Sequence, residues 1–518
     1  MKPQHRVLST LVALALAAPI GACKDKGPTT PPVDPVAEEA AKKEAEKTAE
    51  RQKRNDEAER KRAELAALPP LPGVEAPKAV KFPKAETVKL DNGLEVIVLE
   101  DHEMPLLDIS LVIRAGDIYA PPEASTLASL TASLLGEGTT KHKKADLDAL
   151  VDATGGTLNA FTSDEIAVVG ADVLARDADF ALKTIAEEVM EPLFPQESFK
   201  KLQDQIIQGI ASEKSSPFGL AIRMGERVVY GEKSAYGRPF ASDDEVKAVT
   251  REQVVAFHQR FYGPQNAMLV VAGDITMAKA KAMAQKHLGK WKAGEPAPAV
   301  KSERPPAADK TIVHIIDRKG SAQATIAVVV PAPGIGESGW LDGKILQGLL
   351  GGGLSGRLNS VLREQLGLTY GVGAFHSYGY DGGVFFAGGG TKNKSATEFT
   401  EALLELLMEP GAKGIDGAEV KRIQSKLSGE FALEVEGVGV MANKTITQRL
   451  YGLPGDFWER YRVDIEGATP EQLKATSSSL WNRGAVHVIA IGRADKLAED
   501  LERFGEVRVY DNSLKRTK

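Results

Sequence analysis

The sequence has a single cysteine, Cys23, among its 518 residues. One cysteine excludes an intrachain disulfide, a Cys-x-x-Cys redox pair and a thiolate zinc cluster. Histidine is also scarce, and even the two nearest histidines, His287 and His314, are too far apart in sequence to pair on one face of a helix. The net charge of -6 lacks the basic excess of a nucleic-acid-binding protein, so we expect no nucleic acid partner.

The remaining composition is that of an ordinary globular protein. Hydrophobic residues make up 42% of the chain and charged residues 26%, which excludes a disordered, fibrous or multi-span membrane protein. A length of 518 residues is enough for about three domains, or for two large halves with additional segments.

The N-terminus has the features of an export signal. Lys2 and Arg6 precede an apolar stretch over residues 7–18, which is too short to span a bilayer comfortably. The sequence Ile20-Gly21-Ala22-Cys23 resembles the lipobox of bacterial lipoproteins. This resemblance implies removal of residues 1–22, acylation of Cys23 and a lipid-anchored protein of the cell envelope that faces the periplasm. Lys24 favours the outer membrane, and the alternative is a plain signal peptide with an incidental cysteine.

A spacer follows the signal. Residues 24–35 are rich in proline, threonine and lysine, and residues 36–65 are rich in alanine, glutamate, lysine and arginine. The second stretch favours a helix that has nothing to bury, and Pro69 and Pro70 would end it. We therefore predict that residues 23–77 form a flexible spacer and a charged helical stalk, with partial disorder as the alternative.

The rest of the chain predicts an α+β protein. Two strands, at residues 87–90 and 94–99, flank the turn sequence Asp91-Asn92-Gly93, and a third strand follows at 106–114. Helical patterns cover residues 124–135, 143–153, 178–190, 196–213 and 250–261. One long strand is predicted at 157–173, and an apolar strand at 267–272.

The globular part is an internal repeat. Leu134-Leu135-Gly136 recurs as Leu349-Leu350-Gly351, and Tyr230-Gly231 recurs as Tyr451-Gly452. A third landmark, the helix start at Thr250, recurs at Thr469. Landmarks in the same order at nearly one spacing indicate two homologous halves. We assign the first half to residues 78–295, a linker to 296–308 and the second half to 309–518.

An ordered set of motifs over residues 85–510 resembles the insulinase-like, or pitrilysin-clan, zinc peptidases. The motifs begin at Asn92-Gly93, Gly155-Gly156-Thr157-Leu158-Asn159-Ala160-Phe161-Thr162, Phe261-Tyr262-Gly263-Pro264, Ser355-Gly356-Arg357-Leu358 and Arg363-Glu364-Gln365. This resemblance implies two α+β halves, each an antiparallel sheet packed with helices. It also implies that the halves form a clam-shell chamber for unfolded polypeptides.

The zinc motif of that family is degenerate here. The family has His-x-x-Glu-His ten residues before the position of Gly138-Thr139, which places the two histidines at Ser129 and Ser133 and the general base at Ala132. The third ligand, a later glutamate, corresponds to Gly209. Because zinc requires imidazole, thiolate or carboxylate ligands, we expect no zinc in this chain.

Another part of the family's site is retained. Arg363 and Tyr370 are seven residues apart in the second half, as in the family, where this pair holds the scissile carbonyl. A guanidinium and a phenol hydroxyl are donors that can stabilise an oxyanion. The alternative is an ordinary surface arginine and a core tyrosine. Asn159, Ala160 and Phe161 resemble the edge strand on which family members bind the substrate backbone, and the alternative is an ordinary paired strand.

These features predict a subunit that is not catalytic alone. It would bind unfolded or extended polypeptide and contribute Arg363 and Tyr370 to the zinc site of a partner subunit that has the zinc motif. The alternative is a non-catalytic structural or peptide-binding periplasmic lipoprotein of the same fold.

Overall fold

The computed structural model describes residues 82–300, 304–305, 310–481 and 486–518, together with Ala49, Lys53, Asp56 and Arg60. The predicted signal, Cys23, most of the stalk and residues 301–303 and 306–308 of the linker lie outside the described residues, although those four isolated residues are helical. The chain divides into two units, residues 1–68 and 69–518, and the second contains both halves. Within the described part, no helix is both long and apolar enough to cross a membrane.

The first half alternates strands and helices. Its strands are β1 (Glu86–Lys89), β2 (Glu95–Glu100), β3 (Leu106–Ile113), β4 (Thr157–Thr162), β5 (Ala167–Leu174) and β6 (Ala267–Gly273). Its helices are α1 (Leu127–Leu135), α2 (Lys144–Asp152), α3 (Ala178–Met190), α4 (Gln196–Ser215), α5 (Pro217–Tyr230), α6 (Asp243–Ala248), α7 (Arg251–Phe261) and α8 (Met277–Leu288). The predicted strand at 157–173 is wrong as one element, because a turn at residues 163–166 divides it into β4 and β5.

The second half repeats this order, except that its additional strand comes last rather than first. Its strands are β7 (Ile312–Asp317), β8 (Gln323–Ala332), β9 (Thr369–Gly379), β10 (Gly382–Lys392), β11 (His487–Gly492) and β12 (Glu506–Tyr510). Its helices are α9 (Trp340–Gly351), α10 (Ala396–Lys413), α11 (Gly417–Glu434), α12 (Val438–Leu450), α13 (Phe457–Gly467), α14 (Pro470–Leu480) and α15 (Ala494–Leu501). A short π-helical segment, Asn359–Gln365, precedes β9.

Five strands have the same topology in the two sheets, which confirms the α+β class and the repeat. The outer strands differ, because β1 is antiparallel to β2 whereas β12 is parallel to β7. The strand order is β1-β2-β6-β3-β5-β4 in the first sheet and β12-β7-β11-β8-β10-β9 in the second. The sheets are mixed rather than purely antiparallel, because β2 pairs with β6, and β7 with both β11 and β12, in parallel. Strands β4 and β9 lie at equivalent edges.

Each half has its own hydrophobic core on one face of its sheet. In the first half, side chains such as Leu111 and Val271 pack against α1, α3 and α8. In the second, Val328 and Phe385 pack against α9, α10 and α14. The burial of apolar side chains on one face of each sheet stabilises each half as a two-layer unit.

The other face of each sheet is covered by a helix from the opposite half. Helix α5 of the first half contacts β8, β10 and β11, where Leu220 and Met224 pack beside Val329. Helix α12 of the second half contacts β3 and β6, where Met441 and Ile446 pack beside Val270. The faces shared by the halves are therefore filled with apolar side chains. The clam-shell chamber expected between the two halves is not formed by these faces.

Candidate functional site

Arg363 and Tyr370 lie together at the edge of the second sheet. Arg363 belongs to the π-helical segment, and Tyr370 is the second residue of the edge strand β9. The Tyr370 side chain is 86% exposed, so it is not the core tyrosine of the alternative interpretation. The Arg363 Nε atom lies 3.2 Å from the carboxylate of Glu364, and the side chain is partly exposed. Both predicted donors are thus accessible to a ligand.

The backbone that holds this pair is fixed by two side chains that the sequence analysis did not single out. The buried Asn359 amide donates to the carbonyl of Val372 at 2.7 Å and to that of Gly353 at 3.0 Å. The Thr369 hydroxyl donates to the carbonyl of Gly390 at 2.6 Å. These bonds attach the π-helical segment and the start of β9 to neighbouring strands. Asn359 is a polar residue directly after the apolar Leu358. A polar residue at such a position is the signal that could have identified it.

A tight turn joins the segment to the strand. Gly367 has a φ of +61°, a conformation that residues with a Cβ adopt at a cost, and it reverses the chain between Arg363 and β9. π-Helical segments are rare and occur frequently at functional sites. The turn thus joins the segment that contains Arg363 to the strand that begins beside Tyr370.

The two donors line one open cleft of about 600 Å³. Arg363, Gly367 and Thr369 form part of its wall, with Tyr370 and the β10 residues Gly390 and Lys392. The cleft is built only from second-half residues, and none of the degenerate zinc positions lines it. Chemically, it presents a cationic fork and a hydroxyl to a ligand, which suits a carbonyl or carboxylate oxygen.

Ser129, which the resemblance to the family predicts at the first zinc-ligand position, forms part of a hydrogen-bond network. Its hydroxyl donates to the carboxylate of Asp117 at 2.9 Å and accepts from the hydroxyl of Thr162 at 3.3 Å. Burial raises the pKa of Asp117 to about 6, the Ser129 hydroxyl opposes this rise, and the charge of Asp164 adds to it. Asp117 was not singled out from the sequence, where it follows Gly116 without a motif.

The other zinc positions offer no ligand. Ala132 is buried, Ser133 is partly buried on α1, and Gly209 faces open space on α4. These four positions supply two hydroxyls, one methyl group and one glycine. They do not fit zinc, which prefers imidazole, thiolate or carboxylate donors. Among the described residues no group of three or more His, Cys, Asp or Glu side chains could hold a metal ion. The absence of zinc from this chain stays a prediction.

Strand β4 has the edge position expected for it. It pairs with β5 through Asn159, Ala160 and Phe161, and it ends the first sheet. The Phe161 side chain is 54% exposed, and Asn159 is exposed beside it. An edge strand with exposed side chains can accept an extended peptide as an additional strand.

Two family models match this chain. The model described as "Insulinase (Peptidase family M16)" matches residues 95–224, and that described as "Peptidase M16 inactive domain" matches residues 248–427. Together they span more than half of the chain and include both halves.

Individual relatives agree with these matches. An uncharacterized zinc protease of Streptomyces coelicolor is 27% identical over 408 residues, which are 76% of this chain and 86% of the relative. A peptidase M16 inactive domain from Pseudomonas fluorescens has a similar structure, with a TM-score of 0.73, 23% identity and coverage of 79% of this chain and 98% of that one. The periplasmic protease PqqL of Escherichia coli gives a TM-score of 0.68 at 15% identity. That match covers 82% of this chain but 48% of PqqL.

Proposed function

The chain belongs to the insulinase (M16) peptidase family, and from this premise we propose that it is the zinc-less subunit of a two-chain peptidase. In this role it binds extended polypeptide and contributes Arg363 and Tyr370 to the zinc site of a second, zinc-binding insulinase-like chain. The observation that carries the proposal is the pairing of these two accessible donors in one cleft, in a chain whose own zinc positions have no suitable ligands.

The donors suit the stabilisation of a peptide carbonyl. A guanidinium and a phenol hydroxyl can both donate to one oxygen as negative charge develops on it. Neither group has an evident packing role, since Tyr370 is 86% exposed and Arg363 pairs only with the exposed Glu364 among the described residues. Both groups are therefore available to bind a ligand that enters the cleft.

The interlocked halves support the need for a second chain. Because the faces shared by the halves are filled by α5 and α12, a chamber for polypeptide requires another surface. A chain of the same fold would supply one, and this fold accounts for about half the length of PqqL. The partner would place its zinc site opposite the Arg363 cleft.

Substrate backbone would bind at β4. The exposed edge carries Asn159 and Phe161 on one side and Ala160 on the other, so an added strand gains main-chain hydrogen bonds and contacts with alternate side chains. This part of the proposal requires no catalytic role for the chain. It therefore also supports the second candidate function, a peptide-binding lipoprotein without a part in catalysis.

The lipobox-like sequence supports a location in the cell envelope. Acylation of Cys23 would anchor the protein to a membrane on its periplasmic side, with Lys24 favouring the outer membrane. The spacer and stalk would then hold the globular part away from the bilayer.

The test is turnover by the isolated pair. The chain is purified from its native membrane with its partner, and cleavage of an unfolded polypeptide is measured for Arg363→Ala and Tyr370→Phe. We expect the complex to stay intact and kcat to fall by about a hundredfold to a thousandfold, the usual effect of losing one oxyanion donor. Arg176→Ala, which removes an exposed arginine of the first half, is the matched control and should leave turnover unchanged.

Two outcomes would decide against the catalytic role. Unchanged turnover of both variants in an intact complex would leave the peptide-binding function. A chain isolated under native conditions without any insulinase-like partner would do the same.

A further inference from the structure

A second cavity of the second half has no counterpart in the function proposed above. It has a volume of about 410 Å³ and is lined by residues of α9, α11, α12 and α13. The size lies within the range of small-molecule sites, about 300 to 1,000 Å³. Its wall includes the following side chains: Trp340, Lys344, Gln347, Lys426, Glu430 and Phe431.

The internal repeat places this cavity at the position equivalent to the degenerate zinc site. Leu134-Leu135 lie at the end of α1, and the repeated Leu349-Leu350 lie one residue before the end of α9. This alignment makes Lys344 correspond to Ser129 and Gln347 to Ala132. Helix α1 packs against α4, α7 and the edge strand β4, and helix α9 packs against the equivalent elements α11, α14 and β9. The cavity of the second half thus lies at the position that corresponds to the degenerate zinc motif of the first half.

The equivalence of α4 and α11 is supported by one side chain in each. The Gln203 amide donates to the carbonyls of Val246 and Val249, at 2.7 and 3.1 Å. The Gln424 amide of α11 makes the equivalent bonds, to the carbonyls of Ile465 and Ala468, both at 2.8 Å, and a third bond to that of Glu466 at 3.2 Å. With these two glutamines aligned, Glu430, which lines the cavity, corresponds to Gly209.

Aromatic rings form one wall of the cavity. The Tyr461 ring lies 4.8 Å from that of Phe431, 5.5 Å from that of Trp458 and 6.2 Å from that of Trp340, measured between centroids. Such a wall offers a large apolar surface to a ring or an alkyl chain. The cavity is therefore suited to a ligand with an apolar body.

The charged groups of the cavity leave one positive charge in excess. Lys426 lies 3.6 Å from the carboxylate of Glu430, and Lys444 lies 3.1 Å from that of Glu434. Lys344 has no carboxylate within ion-pair distance among the described residues, and its ammonium donates to the neutral Gln347 amide at 3.0 Å. Burial lowers the pKa of Lys344, against the influence of the two glutamates. An anion in the cavity would compensate this ammonium.

A buried donor adds a second polar feature. The Trp340 side chain is 4% exposed, and its indole N–H has no acceptor among the described residues. A buried donor without a partner costs about 1 to 3 kcal/mol. An acceptor atom inside the cavity would remove this cost.

From these features we propose that the cavity binds a small organic carboxylate whose body is aromatic or aliphatic. The carboxylate pairs with the Lys344 ammonium, the body packs on the aromatic wall, and an acceptor atom of the ligand or of an accompanying water satisfies the Trp340 N–H. The same chemistry is presented by a free aryl acid and by the C-terminal residue of a peptide.

The experiment uses the purified full-length chain in detergent, with tryptophan fluorescence and calorimetry as readouts. Phenylacetate represents the free acid, and Ala-Ala-Ala-Phe with a free C-terminus represents the peptide. We expect saturable one-to-one binding of at least one of them. Phenylacetamide and the amidated peptide should bind at least about tenfold more weakly, because they cannot form the charge-assisted hydrogen bond.

Variants locate the site. Lys344→Met should weaken binding of the acid about tenfold and abolish the preference for acid over amide. Trp340→Phe keeps an aromatic ring and should weaken binding about fivefold. Lys319→Met removes an exposed lysine of the same half and should leave binding unchanged. The acid-to-amide comparison on the unaltered chain tests the proposal even if Lys344→Met fails to fold.

Three results would overturn the proposal. They are the absence of saturable binding of both acids, equal binding of acids and amides, and unaltered binding by folded Lys344→Met. Preference for phenylacetate or for the peptide distinguishes the two sources of the carboxylate. None of these measurements depends on peptidase activity, so the result is separate from that of the proposed function.

Discussion

The carboxylate of Glu165, in the first half, accepts a hydrogen bond from the hydroxyl of Tyr451, in the second. It also accepts from the Tyr236 hydroxyl at 2.5 Å and from the backbone N–H of Tyr380 at 2.7 Å. The residue is buried, and this burial raises the pKa of Glu165 although the three donors oppose the rise. One side chain thus connects two segments of the second half to the first.

Removal of the Glu165 carboxylate is predicted to destabilise the contact between the halves. Glu165→Ala leaves the Tyr236 and Tyr451 hydroxyls without this acceptor, while the backbone N–H of Tyr380 keeps the Tyr236 hydroxyl at 3.0 Å. We expect a loss of about 3 kcal/mol in the free energy of unfolding. Urea denaturation measures this loss. Glu103→Ala, which removes an exposed glutamate, should change it by less than about 0.5 kcal/mol.

The isosteric variant Glu165→Gln tests the sign of the pKa shift. Since the pKa is higher in the folded than in the unfolded state, the unaltered protein should lose stability as the pH rises above the unfolded value near 4.5. Glutamine has no such titration. The stability of Glu165→Gln relative to the unaltered protein should therefore increase between pH 4.5 and pH 8, and a constant difference would contradict the shift.

The degenerate zinc positions predict a chain without tightly bound zinc. Elemental analysis of the chain, purified without chelator and separated from any partner, should find less than about 0.1 zinc per chain, because Ser129, Ser133 and Gly209 supply no strong ligand. The isolated chain should not cleave unfolded polypeptide. About one retained zinc per chain would show that ligands outside these positions form a site.

Ser129→Ala is predicted to raise the pKa of Asp117 above about 6. The serine hydroxyl donates to the charged carboxylate, so its loss should cost about 2 kcal/mol of stability where Asp117 is ionised, above pH 6. The cost should shrink as the pH falls and Asp117 becomes protonated. Urea denaturation at pH 8 and pH 5 measures both values, and Ser513→Ala, an exposed serine, is the control. Equal losses at the two pH values would contradict the role of Ser129.

Leu220 tests whether the packing of α5 on the second sheet couples the two halves. Its side chain is fully buried in the cluster on the second sheet, and Leu220→Ala should lower the free energy of unfolding by about 2 to 5 kcal/mol. Because the helix belongs to the first half, we expect both halves to unfold in one transition. Val463→Ala, at an exposed position, should have little effect. Independent unfolding of the two halves would contradict the coupling.

Cys23→Ser tests the predicted lipid anchor. Without a thiol to acylate, the protein should stay unprocessed or appear in the soluble periplasmic fraction, whereas the unaltered protein should be in the membrane fraction. Cell fractionation and the mass of the N-terminal peptide measure this. A Cys23→Ser protein that is trimmed and membrane-bound as before would contradict the anchor.

Local signals predicted four of the six strands and five of the eight helices of the first half, and the failures have physical causes. The hairpin at Asn92 was predictable because the Asn92 side chain accepts the backbone N–H of Leu94 within the turn itself. Helix α5 was missed because Gly219 and Gly225 lower its helix propensity. At Gly225 a Cβ atom would lie 3.2 Å from Val329 of the other half. The glycine thus serves a long-range contact that the sequence does not display, although Ser216-Pro217 is a helix-start signal.

The candidate site was predictable only in part for a similar reason. Arg363 and Tyr370 are near neighbours in sequence, and the resemblance identified them. The network of Ser129 with Asp117 and Thr162 joins three separate segments, so no local pattern reveals it. The division of 157–173 into two strands follows from Ser163-Asp164, a turn signal that the strong apolar alternation on either side concealed.

The reciprocal placement of α5 and α12 bears on how such a chain could arise. A single half, made alone, would have an uncovered apolar sheet face and an unpartnered helix of matching shape. Two identical copies could satisfy both by twofold association, each lending its helix to the other. Duplication and fusion through the segment between the halves would turn that ancestral homodimer into one polypeptide. The copies would then be free to diverge, so that one carries the Arg363 cleft and the other the hydrogen-bond network around Ser129.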